Sequence, residues 1–171
     1  MTDDYLSLSD SDLQAQCDVE TFRVSGPGGQ HRNRRDTADR MRHRPTGVVA
    51  QAYEQRSQRV NRQRALKRLR ERIALDVRQP VGPLGRYEPT LLLVRLVRAE
   101  GGRGIGARNP EYWPAVQQLL DLFAAMDCAV AETAARLGVS TGALSRVLLA
   151  NPALMRTVNV LRTERKLRPL R

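Results

Sequence analysis

The sequence predicts an α+β domain, a small mixed sheet with one long basic helix, followed by a small all-α domain of helix-turn-helix type. Three observations carry this. Short stretches in the first half alternate in polarity, as half-buried strands do. A single apolar stripe at intervals of three and four then runs through a heavily cationic segment, as on an amphipathic helix. Beyond a Pro- and Gly-rich run, the composition turns to Leu, Ala and Val with helical spacing and cap signals. The expected boundaries are 1–79 for the first domain, 80–88 for a linker and 89–171 for the helical domain.

Taken in order, Ser9 is an N-cap signal for a short helix ending near Cys17, with Asp10 and Asp12 in its first turn. Residues 19–25 alternate and read as a strand. Residues 37–43 and 47–53 read as two more, joined by Arg44-Pro45-Thr46-Gly47 in the pattern of a type I turn. Ser57 is a candidate cap for a helix to about Val77, with Leu66, Leu69, Ile73 and Val77 as its stripe. In the second half, Pro89 is expected to begin a helix over residues 91–98. Residues 114–126 form another, with Val116, Leu119, Leu120 and Phe123 inward. Residues 130–148 resemble a helix-turn-helix, with Ala134 at the crossing, Gly138 in the turn, Ser140 as cap and Leu144 inward. Asn151-Pro152 caps and starts a last helix.

Between the first and second strands lies Val24-Ser25-Gly26-Pro27-Gly28-Gly29-Gln30-His31-Arg32-Asn33. Three glycines and a proline in four residues make a loop that no helix or central strand tolerates. Such a loop can bring bare backbone amides against a ligand, and Gln30 adds a neutral donor and acceptor. His31, Arg32, Arg34 and Arg35 follow at once. A neutral tip on a cationic neck suits chemistry performed inside nucleic acid.

The run Ser25–His31, then Asn33, Pro45-Thr46-Gly47-Val48-Val49, and Glu54-Gln55-Arg56-Ser57-Gln58 through Asn61 resembles the catalytic, Gly-Gly-Gln (GGQ) domain of class I peptide-chain release factors. The same domain occurs in short peptidyl-tRNA hydrolases that rescue stalled ribosomes. The resemblance covers roughly residues 19–76. Asp39 departs from it, standing where the family carries an apolar residue. Either the strand register differs locally or Asp39 pairs with a neighbouring Arg.

The resemblance implies hydrolysis of the ester that joins a nascent peptide to tRNA. Attack by water builds negative charge on the carbonyl oxygen and the departing ribose oxygen, and a fixed N–H aimed there is worth about 3–4 kcal/mol. In the family the backbone amide of the Gln, here Gln30, has that role; its side chain shapes the water pocket, and Gly28 and Gly29 permit the bend. Beside Gln30 only His31 could act as a base, and a loop histidine contacting phosphate or its own backbone is the plainer reading. In the family, the peptidyl transferase centre of the large ribosomal subunit and the peptidyl-tRNA complete the site, and the resemblance implies the same here. A glutamine methyltransferase acting on Gln30 is a further implied partner. No cofactor and no metal are implied, and a monomer is expected.

Charge fits this reading. The chain carries net +11, distributed as −6 over residues 1–20, +11 over 21–90 and +6 over 91–171. All but two of its 29 basic residues are Arg, from a GC-rich genome or from selection for bidentate phosphate contacts. The long helix presents Arg59, Arg62, Arg64, Lys67, Arg68, Arg70 and Arg72 against Glu71 alone. That face reads as a backbone-binding ridge or as a solvated surface. RNA contacts are expected from His31, Arg32, Asn33, Arg34, Arg35, Arg56, Arg59, Arg62, Arg68, Arg72, Arg165, Lys166 and Arg168. Arg62, Arg68 and Arg72 lie off the apolar stripe, so their replacement is expected to spare the core.

Two solitary cysteines and no apolar run of membrane-spanning length fit a reducing cytoplasm, and the acidic N-terminus argues against a secretory signal or an Arg-rich transit peptide. Codon-reading release factors carry long preceding domains, whereas about 18 residues precede the first strand here, so codon-independent rescue is expected. Rescue hydrolases with a long basic tail offer no parallel for the helical domain. Two other classes stay open: a non-catalytic RNA- or ribosome-binding module, and a DNA-binding regulator using residues 130–149. The glycine-arginine run 100–106 reads as a flexible loop, because the Lys-Ser or Lys-Thr of a phosphate loop is missing.

Overall fold

The computed structural model describes residues 4–22, 38–98 and 105–171. The glycine-rich loop, from Val24 through Gly28, Gly29, Gln30, His31, Arg32, Asn33, Arg34 and Arg35, lies outside the described residues. So does most of the glycine-arginine run. The chain divides into two compact units, one up to Ile73 and one from Ala74 on. No helix among the described residues is long and apolar enough to cross a membrane.

In the first unit, α1 (Asp10–Ala15) begins where the Ser9 hydroxyl accepts from the Asp12 N–H at 3.2 Å. It leads into β1 (Cys17–Phe22), which pairs antiparallel with β2 (Ala38–His43), and β2 pairs antiparallel with β3 (Val49–Ala52). The spatial order is β1-β2-β3, so the described sheet is antiparallel throughout. The first strand starts two residues earlier than its polarity pattern suggests, because the buried Cys17 continues the pairing opposite His43. In the β2–β3 connection the Gly47 N–H reaches back to the His43 carbonyl at 2.8 Å, with Gly47 at φ +71°. A left-handed residue one position beyond a simple four-residue turn explains why glycine stands there.

The helix α2 (Gln58–Asp76) buries Ala65, Leu66, Leu69 and Ile73, and the sheet buries Ala38, Met41, Ala50 and Ala52. Small residues dominate the sheet side of this core, which suits a close approach of helix to backbone. Its entry is fixed by Asn61, fully buried, whose side chain accepts from the Gln55 N–H at 2.9 Å and donates to the Gln55 carbonyl at 2.8 Å. An amide that mimics a backbone partner in this way holds the preceding loop in one conformation. His43 is also fully buried; its Nδ1 meets the Thr46 hydroxyl at 2.8 Å, its Nε2 the Gln16 Oε1 at 3.0 Å, and Tyr5 packs edge-on at 4.8 Å. Burial, with the Arg44 charge second, lowers its pKa, so the ring is a neutral strut.

In the second unit, α3 (Leu91–Val97), α4 (Tyr112–Ala125), α5 (Val130–Leu137), α6 (Thr141–Leu149) and α7 (Pro152–Glu164) enclose a core around Phe123, Leu119, Leu120, Leu144 and Leu154. Thr90, the residue after Pro89, caps α3 by accepting from the Leu93 N–H at 3.2 Å. The α5–α6 turn is built as its sequence suggests. Gly138 closes α5 at φ +64°, Ser140 caps α6, and Ala134 and Leu144 are buried.

Within this unit Arg78 and Asp121 form an ion pair at 3.2 Å, and Asp121 also accepts the Gln79 N–H at 3.0 Å. Burial raises the Asp121 pKa from 3.8 to about 6, against the opposing pull of that N–H and of Arg78. A carboxyl whose pKa is higher folded than unfolded stabilises fully below about pH 4 and loses that contribution as pH rises through 6. The shift corresponds to a loss on the order of 3 kcal/mol. Relative to the parent, Asp121→Asn should therefore gain stability by that order between pH 4 and pH 7 in denaturant titrations. A parallel pair of curves would place the Asp121 pKa near its ordinary value.

A candidate catalytic and RNA-binding site

The described strands show how the glycine-rich loop is mounted. Phe22 and Ala38 are directly paired across β1 and β2, so residues 23–37 leave and return at adjacent positions of one hairpin. Below that pair, Thr21 faces Asp39. The Thr21 hydroxyl donates to Asp39 Oδ1 at 3.1 Å, Arg62 Nε donates to Asp39 Oδ2 at 3.1 Å, and Gln58 Nε2 donates to Thr21 Oγ1 at 3.1 Å. Two strands and the first turns of α2 are thereby tied together immediately under the loop.

Asp39 itself has no exposed surface, while the Arg62 side chain keeps 39% of its own. The register runs without interruption through this position, with Asp39, Met41 and His43 inward and Arg40 and Arg42 outward. Of the two explanations for the acidic departure, pairing with an arginine is the one observed.

That pairing bears on the expectation that replacing Arg62, Arg68 and Arg72 spares the core, because each of these side chains makes contacts of its own off the apolar stripe. Arg62 is committed to Asp39. Arg68 Nη1 donates to the Gln51 carbonyl at 2.8 Å and lies 2.7 Å from Glu54 Oε1. Arg72 Nη1 donates to the Val49 carbonyl at 2.6 Å. Arg70, read as part of the same face, turns to the N-terminal segment, donating to the carbonyls of Leu6 and Leu8 and pairing with Asp10 at 2.9 Å. The helix thus directs these guanidiniums to strand and loop oxygens. Among the described residues every buried side-chain polar atom has a hydrogen-bond partner. Arg56, two residues before α2, and Arg59, in its first turn, are exposed.

The C-terminal cations divide similarly. Arg165 Nη2 donates to the Ala124 carbonyl at 3.2 Å, and its Nη1 to the Leu161 carbonyl at 3.3 Å. Lys166 and Arg168 are exposed. The segment after α7 is docked: Asn159 accepts from the Leu170 N–H at 2.7 Å and donates to the Leu170 carbonyl at 3.2 Å, and Arg162 bridges the carbonyls of Arg168 and Cys128 at 2.8 and 2.6 Å. Truncation after Leu161 should therefore destabilise the helical unit by on the order of 2–4 kcal/mol, from lost hydrogen bonds and Leu170 packing. An unchanged melting temperature would show the tail to be a free appendage.

Sequence reasoning named Asn61 within its motif but gave it no role, and it did not find the Gln58–Thr21–Asp39–Arg62 chain. The acidic residue amid so many arginines was the available signal.

A family model described as "RF-1 domain" matches residues 7–81. Peptide chain release factor 1 of Caldicellulosiruptor saccharolyticus and that of Xylella fastidiosa are each 44% identical over 68 residues, covering 40% of this chain and 18% of the relative. The protein of the same name from Caldicellulosiruptor bescii is 43% identical over the same span. The chain thus spans less than a fifth of the length of these relatives. The match begins at Ser7, two residues before the cap of α1, and ends just beyond α2; over residues 7–81 the chain is similar to an RF-1 domain.

Proposed function

We propose that this protein hydrolyses the peptidyl-tRNA ester on the ribosome without requiring a codon, releasing nascent chains from stalled ribosomes or free large subunits. One observation carries the reading: the RF-1 match spans the hairpin between whose paired ends, Phe22 and Ala38, the Gly28-Gly29-Gln30 sequence is strung. The matched stretch is the part of a release factor associated with ester hydrolysis, which supports the hydrolytic part of the reading.

In this proposal the Gln30 N–H donates to the oxyanion as water attacks, and Gly28 and Gly29 allow the backbone to bring it there. His31, Arg32, Asn33, Arg34 and Arg35 meet the RNA around the peptidyl transferase centre. The cations that the fold leaves open, Arg56, Arg59, Lys166 and Arg168, supply further phosphate contacts. Gln30 is the atom-bearing target of a glutamine methyltransferase, and the protein acts as a cytoplasmic monomer. A ribosome-binding module that does not hydrolyse is the rival, since the described fold serves either.

Codon dependence is tested on purified ribosomes holding peptidyl-tRNA with the decoding site empty, filled by a sense codon or filled by a stop codon. Release with an empty site, and no advantage from a stop codon, is expected. Release confined to a stop codon would make the chain a codon-directed factor. Free large subunits carrying peptidyl-tRNA, run in parallel, separate the two substrates.

A further inference from the structure

The helical unit contains a cleft of about 780 Å³ between the end of α3, the approach to α4 and the outer face of α6. Its size lies within the range of specific binding pockets. One wall is a strip of Val139, Ala143 and Val147, each half-buried and spaced by four, with Leu96 opposite.

Two arginines border this strip. A Cβ at Gly138 would lie 2.9 Å from Arg98 Nη2, so the left-handed glycine both makes the helix-turn-helix corner and leaves room for that guanidinium to cross it. Arg146 projects from α6, exposed, and lines the same cleft. Neither guanidinium has an ion-pair or hydrogen-bond partner among the described residues.

The surface is wrong for reading nucleic acid. A recognition helix offers polar groups to base edges, whereas α6 lines this cleft with the half-buried Ala143 and Val147. The Ser140 hydroxyl is already occupied, accepting from the Ala143 N–H at 3.1 Å. Tyr112, the aromatic in the wall, is only 6% exposed and offers no face on which a base could stack.

We propose that this cleft receives the apolar side of an amphipathic helical segment of another protein, one whose flanks carry acidic side chains that meet Arg98 and Arg146. An aliphatic strip bordered by two arginines that have no acidic partner among the described residues is complementary to that chemistry. The proposal stands independently of peptide release, since the cleft is built wholly from the helical unit.

The test uses the full chain and two fluorescein-labelled synthetic helical peptides of about four turns. One has Leu at every third and fourth position flanked by Glu; the other is identical with Lys for Glu. Anisotropy should saturate with the Glu peptide and not with the Lys peptide. The double variant Arg98→Gln, Arg146→Gln should weaken the Glu peptide about tenfold, and Ala143→Glu at least as much, with melting temperatures held. Should Ala143→Glu not fold, the surface double variant still decides the matter. Lack of saturation below about 1 mM, or equal affinity for parent and double variant, overturns the proposal. So does a short RNA duplex that binds the parent and loses affinity in the same double variant, which would make this a nucleic-acid face.

Discussion

Gln30→Pro should abolish peptide release while Gln30→Ala retains a measurable fraction of it, with both variants still sedimenting with ribosomes. The contrast isolates the backbone. Alanine keeps the N–H that the proposed mechanism aims at the developing oxyanion, whereas proline has none and also fixes φ. Loss of one oxyanion donor typically costs about 10²–10³ in kcat, and the altered loop path adds to it in the proline variant. Alanine loses only the side chain that shapes the water pocket. Equal activity in the two variants, or tolerance of proline, would remove the backbone donor from the mechanism.

Arg62→Gln should destabilise the first unit by roughly 3 kcal/mol, whereas Arg59→Gln, three residues earlier on the same helix, should change stability by less than about 0.5 kcal/mol. The difference follows from where the two side chains point. Arg59 is exposed. Arg62 compensates Asp39, a carboxylate with no exposed surface whose other side-chain partner among the described residues is the Thr21 hydroxyl. Removing one member of a buried pair leaves the other desolvated, and that is the costly event. Chemical denaturation of the two variants checks this. The double replacement Asp39→Ala, Arg62→Gln should recover part of the loss, because the stranded charge is then gone. If Arg62→Gln behaves like Arg59→Gln, the carboxylate is neutralised some other way.

This pair also shows what the sequence made legible and where it stopped. The periodicity of Leu66, Leu69 and Ile73 placed the core side of α2 correctly, because apolar burial depends on spacing along one element. The caps at Ser9, Ser140 and Asn151 were equally readable, since their hydrogen bonds close within three residues. The fate of the arginines on the other faces of α2 was not readable. Whether a guanidinium meets water, phosphate or a carbonyl depends on which strand lies beneath it, and Arg68 with Gln51 or Arg72 with Val49 are partners from across the fold. Charge count alone therefore overstated the free basic surface. The C-terminal end repeats the point. The run of cations says nothing of how that end is held, and Asn159 and Arg162 fix its backbone through contacts that no periodic pattern announces. The glycine-rich loop is the opposite case: its motif is legible in sequence, and residues 23–37 lie outside the described structure.

The most direct measurement is single-turnover release of a labelled peptide from peptidyl-tRNA on purified ribosomes with an empty decoding site, with binding of the protein followed in the same samples. The proposed function predicts release that saturates along with binding and disappears in Gln30→Pro. Full occupancy of the ribosomes with no release above the protein-free rate would contradict it and leave a ribosome-binding module in its place.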